Sequence, residues 1–174
     1  MQIRIIKQIF FILLLSNLLD INTIYAENLS ENCVFCNEKI LEYQKFYEDE
    51  YVLALYTHKP IFPGHSLIIP KRHRERFEEL SDVEFLHISQ VVKKVNCAVE
   101  KVFNTSAYLI LQKNGKEVGQ TVPHIHFHYI PRQKGDNSTF KFMMRMYVDF
   151  LFSPISAEEM HETVEKMKVA MQNC

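Results

Sequence analysis

The chain has 174 residues, a formal net charge of −1 at pH 7 and an apolar content of 47%. This length fits one domain, and the apolar content supports an ordinary hydrophobic core. The near-neutral charge gives no sign of a nucleic-acid partner, and four cysteines in a chain of this size do not indicate a disulfide-dense scaffold.

The N-terminus has the pattern of a secretory signal peptide over residues 1–26. Arg4 and Lys7 give a positive start, an apolar run follows, and Ala26 is a small residue suited to a cleavage site. The apolar run is short and Asp20 interrupts its extension, so we expect no stable membrane span. A cleaved leader predicts an exported protein, periplasmic or secreted. An uncleaved leader would instead leave the protein membrane-associated at its N-terminus or cytoplasmic.

Short apolar segments after the leader predict strands at residues 52–56, 65–69 and 107–112. These strands are interleaved with long helical patterns, but no βαβ alternation is present. This arrangement favours an α+β fold with an antiparallel sheet. We expect one domain over residues 27–153, completed by a C-terminal helix over residues 154–174.

Two helices have clear start signals. A capping box from Ser81 to Glu84 opens a helix that runs to about residue 103, and residues 156–159 begin the last helix. Cys97 lies in the first of these helices and is predicted to be a small buried apolar residue, whereas the terminal Cys174 is predicted to be mobile. The apolar positions that repeat at helical spacing, and that we expect in the core, are Phe85, Ile88, Val92, Val95 and Val99 in the first helix and Met160, Val164, Met167 and Met171 in the last.

The most informative segment alternates histidines with apolar residues. His124, His126 and His128 occupy every second position, as expected for one face of a β-strand. Same-face neighbours lie roughly 6.6 Å apart, so the two outer histidines are about 13 Å apart at their backbones. Binding one zinc ion with all three would be strained, because zinc–nitrogen bonds are only about 2 Å long. A neutral middle imidazole acting as a nucleophile, with polar neighbours, is the better explanation.

This segment resembles the motif of the histidine triad (HIT) superfamily, and other segments match in the same order. The resemblance covers residues 33–132 and, more weakly, the C-terminal helix. It implies the HIT fold, with an antiparallel sheet of about five strands, a long helix and a C-terminal helix. The branch that it resembles most is that of the fragile histidine triad hydrolases. The matching segments are the Cys-x-x-Cys of residues 33–36, the Pro-Gly-His strand of residues 59–70, residues 76–77 and 80–81, the Asn-Gly turn at 114–115, residues 119–122 and residues 131–132.

The resemblance assigns catalytic roles to three histidines. His126 would attack the α-phosphorus of a nucleotide and form a nucleotidyl–histidine, which water would then hydrolyse to release the nucleoside monophosphate. His128 would sit beside the phosphate, and His65 would orient the triad. Gln120 and Thr121 match positions that touch phosphate. No metal is required for this chemistry if preorganised donors offset the developing charge.

Two positions depart from the family pattern. Lys113 occupies a position where the family usually has Asn or Gln; a cation there can contact phosphate but cannot accept a hydrogen bond. Asn114 would serve instead if the loop shifts. Thr57 stands where an acidic or amide residue commonly binds the ribose, and its hydroxyl bonds a ribose less strongly than a carboxylate does. These departures bear on substrate and rate more than on the reaction class.

The spacing of Cys33 and Cys36 is that of half a tetrahedral zinc site. In HIT proteins with this motif the remaining ligands correspond to His73 and His124, which implies a structural zinc that staples the N-terminal segment to the sheet. An exported protein meets oxidising conditions, so a disulfide between the two cysteines is the alternative.

The resemblance implies a homodimer. Residues 133–155 are rich in Phe and Met, and either pack on the body or a partner, or form a membrane-surface contact or a lid. The expected function is hydrolysis of dinucleoside polyphosphates. The alternatives are hydrolysis of nucleoside phosphoramidates, a nucleotide-binding module with little turnover, and an exported zinc protein whose triad is structural.

Overall fold

The computed structural model describes residues 33–135, 140, 142–144 and 153–174. Three α-helices and five β-strands have both ends described, with short 3-10 turns between some of them, and residues 140 and 142–144 are also helical. In chain order they are α1 (Glu38–Gln44), β1 (Lys45–Glu48), β2 (Val52–Tyr56), β3 (Ser66–Pro70), α2 (Asp82–Phe103), β4 (Ala107–Gln112), β5 (Phe127–Arg132) and α3 (Ala157–Gln172).

The five strands form one antiparallel sheet in the order β1-β2-β3-β5-β4. The histidine-bearing strand β5 therefore lies between β3 and β4, where it pairs on both sides. His128 is opposite Leu67 on β3 and opposite Leu111 on β4. The predicted α+β class, the antiparallel sheet and the long and C-terminal helices are all confirmed.

The two faces of the sheet are covered differently. On one face, α2 and α3 pack against alternate residues of the strands, including Ala54, Ile68 and Tyr129. On the other face a smaller apolar cluster joins the N-terminal segment, through Phe35, to residues such as Leu55. The period-two alternation of strand side chains produces this division, and it determines which face carries the histidines.

The capping box predicted for α2 is present. The backbone N–H of Ser81 donates to the Glu84 carboxylate over 2.8 Å, while the Ser81 hydroxyl accepts from the backbone of Glu84. Four of the five predicted core positions are buried or pack against the core, but the prediction for Phe85 is wrong, because this side chain is 47% exposed. The buried stripe passes instead through Glu84, whose carboxylate binds Arg72. The four predicted core positions of α3 are all buried.

Two strand boundaries differ from the predictions. β3 begins at Ser66, one residue later than predicted, so His65 lies in the preceding loop. The regular part of β5 begins only at Phe127, because the backbone N–H of Ile125 donates to the carbonyl of Arg74 instead of to a neighbouring strand. Only one of the three clustered histidines therefore lies within a regular strand.

A disulfide joins Cys97 of α2 to the terminal Cys174 and closes a sequence separation of 77 residues. The predictions of a lone apolar Cys97 and a mobile Cys174 are therefore wrong. The Lys101 ammonium also donates to the Asn173 carbonyl over 2.7 Å, so the end of the chain is held to α2 at two neighbouring points.

The proposed leader lies outside the described residues. In the segment 133–155, Phe142 is buried, whereas Phe140 is 74% exposed. The ring of Phe142 lies 6.3 Å from that of Phe62, and the Arg132 guanidinium lies over both rings. Within the described ranges, no helix combines the length and the hydropathy needed to cross a bilayer.

Candidate functional site

The histidine segment lies on the sheet face opposite α2 and α3. Ile125, Phe127 and Tyr129 point into the helix-side core, so the alternating histidines point the other way. His124 and His126 are buried, and His128 is half-buried. His65 reaches the same region because Ser66, the next residue, pairs with Tyr129 in the sheet.

A hydrogen-bond relay connects His65 to His128. The backbone N–H of Ile61 donates to Nδ1 of His65 over 3.1 Å, so the proton of the neutral His65 ring is on Nε2. Nε2 of His65 lies 3.0 Å from Nδ1 of His128 and donates to it. The neutral His128 ring consequently carries its own proton on Nε2, as a hydrogen-bond donor.

His126 has the opposite tautomer. Its Nδ1–H donates to the carbonyl oxygen of His124 over 2.7 Å, so the lone pair of the neutral ring is on Nε2. Its ring centroid lies 5.0 Å from that of His128 and 5.2 Å from that of Phe35. A ring held in this way presents a nucleophilic nitrogen next to a ring that presents a donor.

Burial keeps these rings uncharged at neutral pH. Desolvation lowers the pKa of His65 to about 3, with a further contribution from His126. Desolvation also lowers the pKa of His128 to about 2, assisted by His65, His126 and Lys113. The pKa of His126 is lowered by burial and by the Lys113 ammonium, although its bond to the His124 carbonyl opposes this shift. Protonation therefore does not remove the lone pair of any of the three at neutral pH.

The side-chain amides of Gln120 and Asn114 hold the loop before the histidines. Gln120 accepts from the backbone N–H of Gly115 over 2.7 Å, and its Nε2 donates to the carbonyls of Glu75 and Val122. Asn114 accepts from the backbone N–H of Phe77 over 2.8 Å and donates to a nearby glutamate. In this structure both amides are engaged with protein groups.

The other three substrate-contact candidates have different environments. Lys113 is half-buried, and its charge acts on both His126 and His128. Thr121 is exposed. Thr57 is buried, and its backbone N–H donates to the carbonyl of His65 over 3.3 Å. The structure therefore brings Lys113 and Thr57 toward the histidines, and leaves Thr121 on the surface.

A second cluster adjoins the first. The ligand atoms of Cys33, Cys36, His73 and His124 all lie within 4.8 Å of one another. The Sγ atom of Cys33 is 3.5 Å from Nδ1 of His124, and that of Cys36 is 3.4 Å from Nδ1 of His73. Both thiols are free, so the structure does not contain the alternative disulfide between them. These residues could hold a metal ion.

The chemistry of the donor set fits zinc. Two thiols and two imidazoles are the ligands of many closed tetrahedral zinc sites. Nε2 of His124 donates to the Pro70 carbonyl over 2.9 Å, which leaves Nδ1 as the ligand atom and fixes the ring, as is usual for metal-bound histidines. Burial and the neighbouring Cys33 raise the pKa of Cys36 to about 12. Two neighbouring thiolates are therefore unstable here without a cation, and a bound dication would stabilise them.

Several contacts of the site could not be read from sequence motifs. They include the Ile61 backbone N–H that sets the tautomer of His65, the Pro70 carbonyl that orients His124, and the Phe35 ring against two of the histidines. The one available signal is the position of Phe35 between the two cysteines, because a short Cys-x-x-Cys turn carries its middle residues to wherever the cysteines bind.

Known proteins are similar to this chain in sequence and in fold. Residues 38–135 match the HIT domain family. An uncharacterized HIT-like protein of Methanocaldococcus jannaschii is 42% identical over 114 residues, which are 63% of this chain and 86% of that protein. The asymmetrical bis(5'-nucleosyl)-tetraphosphatase of Schizosaccharomyces pombe is 44% identical over 95 residues, which are 55% of this chain and 52% of that protein. A crystal structure of a zinc-bound histidine triad family protein from Mycobacterium smegmatis superposes with a TM-score of 0.65 at 26% identity, covering 83% of this chain and 96% of that one.

Proposed function

This chain belongs to the HIT domain family, and we propose that it is a nucleotide hydrolase in which His126 is the nucleophile. The observation that carries this proposal is the bond of 2.7 Å from Nδ1–H of His126 to the His124 carbonyl. This bond puts the lone pair on Nε2 and fixes the plane of the ring. An imidazole that is neutral, buried and held in one orientation is suited to covalent catalysis.

The reaction proceeds in two displacements at phosphorus. Nε2 of His126 attacks the α-phosphorus, forming a P–N bond while the P–O bond to the leaving phosphate breaks and its electron pair departs with that phosphate. Water then attacks the same phosphorus, the P–N bond breaks with its electron pair returning to Nε2 of His126, and one proton of the water passes to solvent. The nucleoside monophosphate leaves with the neutral ring restored. His128, with its Nε2–H supplied through the His65 relay, donates to a phosphoryl oxygen and stabilises the charge that develops there.

The substrates that we propose are dinucleoside polyphosphates. Lys113 supports this choice, because a cation beside His126 and His128 favours a substrate with several phosphate charges. The similarity to the asymmetrical tetraphosphatase supports it as well, although the match spans about half of that protein. Thr57 is the residue that we assign to the ribose, and Gln120, Asn114 and Thr121 belong to the loop that borders the phosphates.

The test is release of AMP from diadenosine triphosphate by the purified full chain. We expect release by wild type and by His161→Ala, which removes an exposed histidine of α3, but not by His126→Ala. Rapid acid quenching followed by intact-protein mass measurement should detect an adenylyl adduct on wild type. AMP release by His126→Ala at the wild-type rate would contradict the role of this residue.

Two other outcomes would redirect the assignment. Release of AMP from an adenosine phosphoramidate, with no release from diadenosine triphosphate, would keep the nucleophile but change the leaving group. Nucleotide binding without an adduct or turnover would indicate a binding module, in which Lys113 and Thr57 retain the ligand without promoting its cleavage.

We also propose that Cys33, Cys36, His73 and His124 hold a structural zinc ion. The closeness of their donor atoms supports this assignment. Metal analysis of the purified full chain should give about one zinc per chain, and Cys33→Ser should lose it, whereas Cys97→Ser should retain it. A wild-type protein that folds without zinc and does not bind added zinc would refute this assignment.

A homodimer is proposed through the β4 edge of the sheet. β4 is the last strand in the sheet order, and Tyr108, Leu109 and Ile110 are each about two-fifths exposed on it. An edge strand with exposed apolar side chains is a ready site for pairing with a second copy. Light scattering should give the mass of a dimer for wild type and that of a monomer for Leu109→Lys; a monomeric wild type would exclude the dimer.

Export is the proposed fate of the chain if residues 1–26 are cleaved as a leader. The Cys97–Cys174 disulfide supports this proposal, because such bonds persist in oxidising compartments. The mass of the protein recovered from its host should show cleavage after Ala26. A full-length mass would contradict cleavage and favour an N-terminal anchor or retention in the cytoplasm.

A further inference from the structure

The metal-binding cluster and the nucleophile share a residue, His124. The side chain of His124 offers Nδ1 to the cluster, 3.5 Å from Sγ of Cys33, and its backbone carbonyl accepts the Nδ1–H of His126. Its remaining ring nitrogen donates to the carbonyl of Pro70. The direction of the His124 carbonyl, and with it the orientation of His126, therefore depends on how firmly this side chain is held.

A second connection runs through the backbone. The N–H of Ile125, which lies between the two histidines, donates to the carbonyl of Arg74 over 2.6 Å. Arg74 directly follows the cluster residue His73, and its guanidinium also donates to the His73 carbonyl over 2.9 Å. Residues 73–74 are therefore tied to residues 124–125 both at the cluster and beside it.

A third connection is a ring contact. Phe35 lies in a single 3-10 turn between Cys33 and Cys36, and its centroid is 5.9 Å from that of His124 and 5.2 Å from that of His126. Aromatic rings at such distances and tilts attract one another, with the edge of one directed at the face of the other. One turn of helix has little stability of its own, so the cysteines at its two ends determine where the Phe35 ring sits.

From these three connections we infer that metal binding by Cys33, Cys36, His73 and His124 positions His126 for attack on phosphorus. The cluster then acts on the reaction as well as on the fold, and Phe35 is a positioning residue. This inference rests on the proposed role of His126. The ligands come from three separate chain segments, and a bound metal would join all three directly, where the protein alone joins them through thiol–imidazole contacts, the two backbone-carbonyl hydrogen bonds and the packing of Phe35. Loss of the metal would leave Nδ1 of His124 and the thiols at the ends of the Phe35 turn without that bond, and so would loosen the two groups that border the nucleophile.

The test compares the zinc-loaded full chain with the same protein after chelation. Nitrogen-15 NMR of the imidazoles reports the tautomer of His126 without any need for turnover. In the loaded protein we expect a single Nδ1–H tautomer with a slowly exchanging proton, and in the stripped protein a mixture of tautomers with fast exchange. The kcat for AMP release should fall about tenfold or more, as for loss of groups that orient a metal-bound histidine, while KM changes less. A folded, stripped protein with an unchanged His126 tautomer and unchanged kcat would overturn the inference.

Two variants separate the cluster from its effect on folding. Phe35→Leu keeps all four ligands, so we expect full zinc content together with a lower kcat and a less defined His126 tautomer. Cys97→Ser/Cys174→Ser removes cysteines outside the cluster and should change neither readout. If the stripped protein unfolds, Phe35→Leu decides: a wild-type tautomer and kcat in this variant would refute the positioning role. If the loaded wild type has no turnover, the proposed function fails, and the tautomer measurement alone decides the inference.

Discussion

The contribution of the Cys97–Cys174 disulfide to the free energy of unfolding follows from the length of the loop that it closes. Cross-linking two residues reduces the conformational entropy of the unfolded chain, and the reduction grows with the length of the closed loop. For a separation of 77 residues, the chain-entropy relation gives about 4.5 kcal/mol at 25 °C, and measured values for disulfides are typically about 2–4 kcal/mol. We therefore expect Cys97→Ser/Cys174→Ser to lower the free energy of unfolding by about 2–4 kcal/mol.

Equilibrium unfolding in urea, followed by circular dichroism of the helices, measures this loss. With a denaturant dependence of about 2 kcal/mol per molar, the midpoint should fall by about 1–2 M, and the slope should rise, because the unfolded chain is less compact without the cross-link. Lys101→Met is the matched control, because it removes the hydrogen bond to the Asn173 carbonyl but keeps the disulfide, and should cost no more than about 1 kcal/mol. Thiol counting should first show that the disulfide is formed in wild type. Equal unfolding midpoints for wild type and the double variant would then refute the claim that this disulfide stabilises the protein.

Three further predictions concern the relay, a glycine and a buried carboxylate. His65→Phe removes the donor to Nδ1 of His128 and should lower kcat about 10- to 100-fold with little change in KM; steady-state kinetics with wild-type rates would argue against the relay. Gly64→Ala should lower the free energy of unfolding in urea by about 1–3 kcal/mol. Gly64 has a φ of +90°, and an added Cβ would lie 2.9 Å from a proline side chain of β5. An unchanged unfolding midpoint would contradict this prediction. Arg72 lowers the pKa of Glu84 to about 2 from about 4.5. The ionised Glu84 carboxylate therefore stabilises the folded protein fully at pH values above about 4.5, and this stabilisation is lost as the pH falls from about 4.5 to about 2. Glu84→Gln should therefore be less stable by about 1–3 kcal/mol at pH 7 and equal to wild type near pH 2, and a difference that does not depend on pH would exclude this explanation.

Local signals in the sequence predicted the main elements well. Three elements lie where they were expected: the strands Val52–Tyr56 and Ala107–Gln112 and the helix Asp82–Phe103. Their signals, short apolar segments and a capping box, depend only on residues close together in sequence. The closeness of the two cysteines to His73 and His124 was also expected, but from resemblance to a family with that arrangement. Sequence spacing alone does not bring residues so far apart in the chain together.

The features that the sequence did not reveal depend on long-range contacts. Cys97 and Cys174 carry no motif that relates them, and only the packing of α3 against α2 brings them within bonding distance. Phe85 fits the helical period as well as its neighbours do, but the buried stripe includes Glu84, which is buried because Arg72 neutralises it. A polar residue in a core stripe can be predicted only when its partner is known.

The three clustered histidines show why a motif indicates a reaction without assigning each part of it. Their spacing makes them equivalent in sequence, and their different capacities follow from what each Nδ1 meets. Nδ1 of His124 faces the thiol of Cys33, Nδ1 of His126 donates to a backbone carbonyl, and Nδ1 of His128 accepts from the imidazole of His65. The first ring is thereby suited to a metal, the second has a free lone pair on Nε2, and the third has a proton on Nε2. Because these partners come from the N-terminal turn, from the segment itself and from the loop before β3, the division of roles among the histidines is a property of the folded sheet.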